Sequence, residues 1–358
     1  MVPHLCDNDF GSGQMRWRAQ LVRQYIQSQA LTGLAEVAPR WKGDASAALK
    51  QVGLDPKLMR DREVRIDFSQ YCELLEYCAE HWNLPDLGFR MAPYQHLEIL
   101  GPVALVTRME ANLRDAVQAI LRNLVVYTNI LVTAMEEQED VAAIVLSVQH
   151  QAVPTRQYMF LALAVAKNVL EQAARTPIRF LEASFSEIDS GTGRTAEAWF
   201  GCPVRFGAAR TALYFDRAVL DLQLERRDAA YHSIIQRYLS TARDEAGLNI
   251  TDRARNEVAR QMELAICTLE SVAHALRIEP RGLQRRLKAE GTSFRDLVDH
   301  WRRDRAMSLV TMTRMPLSDV ADALGYAHQA VFTRAFSRWH GNTPLACRQK
   351  ATGAERRA

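Results

Sequence analysis

The sequence predicts a mixed protein of two domains. An α/β (α+β) domain spans residues 1–245, and an all-α domain of two helix-turn-helix units joined by a long helix spans 246–358. Three observations predict this. The hydrophobic period shifts between about 3.6 and about 2 residues within the first two thirds of the chain. The last third shows one pattern twice, at 269–287 and 317–339: a short apolar helix, a tight turn and a second helix with a basic face. Charge divides the same way. Residues 246–358 carry 19 Lys and Arg against 12 Asp and Glu, and the rest carries 26 against 30. A basic third beside a slightly acidic remainder points to a polyanionic partner for the former alone.

Residues 1–14 read as a loose tail. Met15 to Gln29 has helical spacing, with Trp17, Leu21, Val22 and Tyr25 on one stripe. Ser46 to Val52 is a short helix ended by Gly53, and Pro56 suits the first turn of the next. Phe68 to Trp82 is a strong helix whose face holds Tyr71, Leu74, Leu75, Cys78 and Trp82. A loop-rich stretch from Ala92-Pro93 to Gly101-Pro102 leads into helices around Val103 to Thr107 and Leu113 to Thr128. Val141 to Gln149 reads as a strand and Gln157 to Arg175 as a helix. Ile178 to Phe185 reads as a strand whose alternation changes frame, which a bulge near Phe180-Leu181 or burial on both faces accounts for. Thr211 to Phe215 is a further strand, Asp228 to Arg243 an amphipathic helix and Asp244 to Thr251 the linker.

Composition bounds the function classes. With 48% apolar and 24% charged residues, the chain has the balance of an ordinary globular protein. No apolar run approaches the ~20 residues of a membrane helix, and Met1 to Gly13 lacks the apolar stretch of a signal peptide. A cytoplasmic protein is expected, with no membrane partner. The cysteines at 6, 72, 78, 202, 267 and 347 form no metal-binding or disulfide pattern, so reduced, mostly buried thiols are expected and no cofactor. Cys202 has no cysteine neighbour and reads as a packed residue. Gly191-Thr192-Gly193-Arg194 lacks the Lys-Ser/Thr of a phosphate loop and reads as a turn. His81, His96 and His150 have no ligand spacing. No nucleophile elbow or paired-carboxylate motif occurs, so no enzyme is expected. Tyr94 and His96 lie where they can border a ligand pocket, but no ligand-binding residue is assigned.

Thr268 is placed to cap the first scaffold helix, whose Val272, Ala273 and Leu276 have core spacing. Pro280 opens the second helix. Leu283 and Leu287 turn inward, while Arg281, Gln284, Arg285 and Lys288 recur at i, i+3, i+4 and i+7 and share one face. Guanidinium forks suit guanine and an amide suits adenine. The connecting helix carries Phe294, Leu297, Val298, Trp301, Ala306, Leu309 and Val310 as its apolar stripe and is expected to end near Met315. Leu317, Val320, Ala321 and Leu324 repeat the first unit's spacing, and Gly325 supplies a left-handed turn. Phe332, Phe336 and Trp339 anchor the last recognition helix and leave Gln329, Thr333 and Arg334 pointing away. Base readout by Arg281, Gln284, Arg285, Gln329, Thr333 and Arg334 is therefore expected, with Lys288, Arg302, Arg303, Arg338 and Lys350 on phosphates.

Leu269 to Arg348 resembles the AraC/XylS family of transcription regulators. The match is carried by Leu283-Gln284-Arg285-Arg286-Leu287, Gly291-Thr292-Ser293-Phe294, Gly325-Tyr326 through Phe332, Arg334-Ala335-Phe336 and Gly341-Asn342-Thr343-Pro344. Upstream, Phe200-Gly201-Cys202-Pro203-Val204-Arg205-Phe206-Gly207, Ala212-Leu213-Tyr214-Phe215-Asp216 and Leu100-Gly101 resemble the branch with an arabinose-binding-like N-terminal domain, typified by the ornithine-utilisation regulator. The resemblance implies a cytoplasmic protein that binds double-stranded DNA, often senses a small molecule, and activates transcription through RNA polymerase. The chain departs from the family's pattern at five positions. Arg277 stands for a turn Gly, Glu279 for a Ser cap, Gly282 for Thr or Ser, Ala327 for a cap and Ala330 for Ser.

Asp228 to Arg243 is placed to pair two first domains through Ile234, Ile235 and Leu239, which predicts a homodimer. The same residues equally suit covering their own core. A small polar effector between sheet and helices is expected, signalling through the linker. Two other readings stay open: a ligand-independent regulator whose first domain only dimerises, and an enzyme or repair protein with a DNA-binding tail.

Overall fold

A computed structural model describes residues 24–61, 64–148, 153–224, 235, 238–239, 250–264, 266–313 and 315–355. The first described element is a strand, β1 (Tyr25–Gln27), paired antiparallel with β2 (Arg65–Asp67). This corrects the helix expected over Met15 to Gln29, of which residues 15–23 lie outside the described residues, as does the tail 1–14. The backbone of this stretch finds its partners far away. Tyr25 N bonds Asn129 Oδ1 at 2.9 Å and Gln27 N bonds the Tyr127 carbonyl at 3.0 Å, so tertiary pairing overrides local spacing.

Two short helices follow, α1 (Leu34–Val37) and α2 (Ala45–Gln51), then α3 (Phe68–His81), capped by Asp67, which accepts from Ser69 N and Gln70 N. As the spacing predicts, α3 buries Tyr71, Leu74, Leu75 and Cys78. The next helix, α4 (Leu87–Met91), presses on α6 (Arg156–Ala174) at Gly88, where a Cβ would lie 2.4 Å from the Gln157 carbonyl oxygen. Between them the segment Leu97–Arg108 is 3₁₀ and kinks at Gly101 (φ 56°, ψ −130°), and α5 (Leu113–Asn123) is capped by Asn112.

The five-stranded sheet runs in the order β3-β4-β7-β5-β6: β3 (Leu131–Glu137), β4 (Val141–Val148), β5 (Phe180–Ser184), β6 (Val204–Arg205) and β7 (Thr211–Asp216). All pairs are antiparallel except β5–β6. The frame change in β5 is a register shift between Phe180 and Glu182, with Leu181 left 41% exposed. A helix not foreseen, α7 (Gly193–Phe200), begins inside the stretch read as a turn. One face of the sheet packs under α6 in the main core. The other buries Ala134, Ala143, Val145 and Ala212 against Tyr214 and Leu264.

The C-terminal domain begins with a further unforeseen helix, α8 (Ile250–Glu263), so Ile250 and Thr251 of the expected linker are already helical; residues 244–249 lie outside the described residues. It lies against β3. Then come α9 (Leu269–Ala275), α10 (Pro280–Ala289), α11 (Phe294–Met312), α12 (Leu317–Ala323), α13 (Gln329–His340) and α14 (Pro344–Glu355). There are two small cores. Ala254 and Val258 of α8 join Val272, Ala273, Leu283, Leu287 and Leu297, while Ala306, Leu309 and Val310 join Val320, Ala321, Leu324, Phe332 and Phe336. The long α11 therefore serves both units. Each fully buried Leu or Phe contributes roughly 1.5–3 kcal/mol, so each unit rests on few side chains.

Of the stretch 228–243, only Ile235, Tyr238 and Leu239 lie within the described residues. Leu239 is fully buried in the first domain's core, with Ile235 packed against it. These two side chains cover their own domain.

Candidate nucleic-acid interface and effector cavity

In the first helix-turn-helix, Thr268 and Ser271 form a reciprocal capping box that starts α9. The turn passes through Arg277 at φ 55°, the left-handed conformation expected there, which costs about 1 kcal/mol for a residue with a Cβ. Glu279 holds the cap position of α10 without a side-chain cap bond. At Gly282 a Cβ would meet only ordinary contacts, 3.4 Å from Ile278 and 3.9 Å from Glu279, so space does not demand glycine. Leu283 and Leu287 are fully buried, and their burial turns Arg281, Gln284, Arg285 and Lys288 outward, all exposed. Arg286 is exposed on the flank of that face.

In the second unit Gly325 takes φ 74° and Phe332 and Phe336 are fully buried. His328, not Ala327, occupies the cap position of α13, again without a side-chain bond. Gln329 and Arg334 are exposed and Thr333 is half-buried. Arg338, Arg303 and Lys350 are exposed. Arg302 differs from the other residues expected on phosphates. It is half-buried, its Nε donates to the Leu324 carbonyl at 3.2 Å, and its guanidinium lies 5.4 Å from the Tyr326 ring centroid. It holds the second unit's turn onto α11.

The first domain contains a cavity of about 90 Å³ between α5, α6, the Leu97–Arg108 segment and the inner face of β3 and β4. Its lining is almost wholly hydrocarbon; the polar members are Gln95, Thr133 and three tyrosines, Tyr71, Tyr127 and Tyr158. Of the loop residues expected to border a pocket, Tyr94 and His96 do not line it, while Gln95 between them does. Burial pushes the Tyr71, Tyr127 and Tyr158 phenols up, and each raised neighbour opposes ionisation further at Tyr71 and Tyr158. The expectation of a polar effector between sheet and helices does not fit this space. Each hydroxyl buried there without a partner costs roughly 1–3 kcal/mol.

The described cysteines are free, with Cys72, Cys78 and Cys202 buried; burial pushes the Cys78 thiol up to about 12 and raises Cys202 as well. Among the described residues no group of His, Cys, Asp and Glu is placed to hold a metal. Among the same residues no helix is long and apolar enough to cross a membrane.

The family model of the arabinose-binding domain of AraC transcription regulators matches residues 43–224, half of the chain. The chain belongs to the AraC family of transcription regulators. A helix-turn-helix family model matches residues 272–350 of this AraC-family protein. It is 27% identical over 322 residues to the HTH-type transcriptional regulator VirS of Mycobacterium tuberculosis, covering 89% of this chain and 95% of the relative. It is 35% identical over 81 residues to the ornithine utilization regulator of Pseudomonas aeruginosa, covering 23% of this chain and 24% of that one. The solved structure of the transcriptional regulator CdpR from Pseudomonas aeruginosa aligns over 85% of this chain and 96% of that one, at 21% identity and a TM-score of 0.42. The protein is thus a DNA-binding regulator of a family of transcription regulators, not of enzymes, and carries an arabinose-binding-like domain.

Proposed function

We propose that this protein is a sequence-specific activator whose two recognition helices, α10 and α13, read adjacent major grooves and whose first domain responds to a small-molecule effector. One observation carries the DNA reading. On each recognition helix the core-facing pair, Leu283 and Leu287 or Phe332 and Phe336, is fully buried, which leaves Arg281, Gln284 and Arg285, and Gln329 and Arg334, exposed for base edges with Thr333 at their flank. Lys288, Arg303, Arg338 and Lys350 take phosphates.

The effector reading is supported by the cavity and by its distance from the DNA-binding domain. Thr133, Ile144 and Leu146 line the cavity, while their strand neighbours Ala134, Ala143 and Val145 face the layer that holds Leu264. One sheet thickness separates the two. A molecule in the cavity changes output only by binding one arrangement of the domains better than the other. Activation through RNA polymerase follows the family resemblance.

Footprinting of the full-length protein on its neighbouring promoters, with transcription measured beside it, tests the proposal. Protection of two grooves about one helical turn apart is expected for each chain, and paired tandem or inverted half-sites for a homodimer. Absence of any protected site rejects sequence-specific binding. Equal output under all metabolite conditions leaves the ligand-independent reading.

A further inference from the structure

We infer that the cavity beneath α6 takes an uncharged, predominantly hydrocarbon molecule with one neutral hydrogen-bonding group. This deepens the effector-responsive reading and rests on it. Among the described residues no Lys, Arg, His, Asp or Glu lines the cavity, so a carboxylate or ammonium group would enter without a counter-charge. A sugar would bury several hydroxyls against hydrocarbon. An apolar cavity of this kind accepts apolar guests.

The room comes from small side chains. Ala162, Val165, Ala166 and Val169 recur on one face of α6 at i, i+3, i+4 and i+7 and line the cavity, yet all four are only half-buried. The two alanines carry only a methyl group each into the lining. Hydroxyls supply most of the polar points of the lining. Thr133, Tyr127 and Tyr158 are 8%, 8% and 4% exposed, and among the described residues their hydroxyls make no hydrogen bond. Their neighbours are already engaged. The Tyr71 hydroxyl donates to the Ala30 carbonyl at 2.8 Å, and Gln95 Nε2 donates to the Ala30 and Thr32 carbonyls, both at 2.8 Å. Buried hydroxyls left open toward apolar space fit one alcohol, ketone or ester oxygen on an otherwise apolar body.

The test uses the full-length protein and N-phenyl-1-naphthylamine, an uncharged fluorescent probe, displaced by 1-decanol, decanoate or L-arabinose. The probe is expected to brighten, 1-decanol to displace it, decanoate to compete roughly tenfold more weakly or worse, and L-arabinose not to compete. Ala166→Trp should fill the space and abolish probe binding, with Ala162→Leu as a milder filling; circular dichroism confirms that each is folded. Tyr158→Phe should keep the probe and weaken 1-decanol. The inference is overturned if the wild type binds neither probe nor 1-decanol, if decanoate or L-arabinose competes as well as 1-decanol, or if both folded filling variants bind the probe as the wild type does. Promoter output separates the two readings. Binding that Ala166→Trp abolishes, with no promoter response to 1-decanol, upholds the cavity's ligand class and ends its role in sensing. A response to a polar metabolite that survives in Ala166→Trp places sensing outside the cavity and leaves the effector-responsive reading standing.

Discussion

Arg305 donates from Nη2 to the carbonyl oxygen of Ala209 at 2.9 Å, tying the helix shared by both helix-turn-helix units to the turn before β7. This bond joins the two domains. A hydrogen bond from a charged donor contributes about 1.5–3 kcal/mol. Arg305→Ala should therefore shift the ratio of docked to undocked domains by roughly tenfold or more. Hydrogen exchange on the full-length protein reads this as faster exchange in β7 and α11. Unchanged exchange in both would remove the bond from any docking role.

Glu187 lies beside that contact. Burial raises its carboxyl above the ordinary carboxylate value, against the opposing pull of Thr211, the Arg305 charge and Ser186. Because the folded state holds the proton more tightly than the unfolded, this group's stabilisation is complete below about pH 4.3. It is lost as pH rises through the higher folded value. Glu187→Gln keeps the shape without the charge. Its melting temperature relative to wild type should rise as pH increases from about 4.3 toward neutrality. A difference that does not change with pH would show that the carboxyl titrates alike in both states.

The arginines of the C-terminal domain divide by what their side chains touch. Arg285→Ala and Arg334→Ala should each cost ~1–3 kcal/mol of DNA binding and relax one part of the site. Arg303→Ala, Arg338→Ala and Lys350→Ala should weaken all sequences alike and reduce the salt slope by about 1 each. Arg302→Ala should act differently. It loses the bond to the Leu324 carbonyl and the contact with Tyr326, so the melting temperature should fall along with affinity. Titrations at several salt concentrations, paired with thermal melts, distinguish these classes. A salt-slope change for Arg302→Ala with no loss of stability would return it to the phosphate set.

The recognition helices were legible because their cores are local. Leu283 and Leu287, or Phe332 and Phe336, are one turn apart, so spacing alone tells which face is buried and which is free. The bulge in β5 was legible for a similar reason, as a break in alternation at Leu181. Strand β3 was not. Its inner side faces the cavity and its outer side the layer beneath Leu264, so both faces are apolar and the period of two disappears. Helix α8 buries only Ala254, Val258 and Ala259 among its apolar side chains, a signal too thin for periodicity to register. The cavity was hidden because a void depends on what fails to meet across the fold. On sequence alone, Ala162 and Ala166 read as ordinary core positions.

The departures in the first helix-turn-helix yield a final prediction. Two features of this unit work against a tight turn and helix start: Arg277 in a left-handed conformation, and Glu279 at a cap position with no side-chain bond. Arg277→Gly relieves about 1 kcal/mol of backbone strain but returns about 0.5–1 kcal/mol through the freedom of the unfolded chain. Its net effect should be near zero. Glu279→Asp keeps the negative charge at the helix start and shortens the side chain enough to accept from the N–H of Gly282. That bond should add about 1 kcal/mol without altering the exposed face of Arg281, Gln284 and Arg285. If loose ends keep α10 partly unformed off DNA, Glu279→Asp should also tighten specific binding, because less ordering remains to be done on contact. Hydrogen exchange of the α10 amides and DNA titration of the same full-length variant measure both effects. Slower exchange with unchanged affinity would show α10 already fully formed in the free protein. Unchanged exchange would show that the missing cap bond leaves its first turn intact.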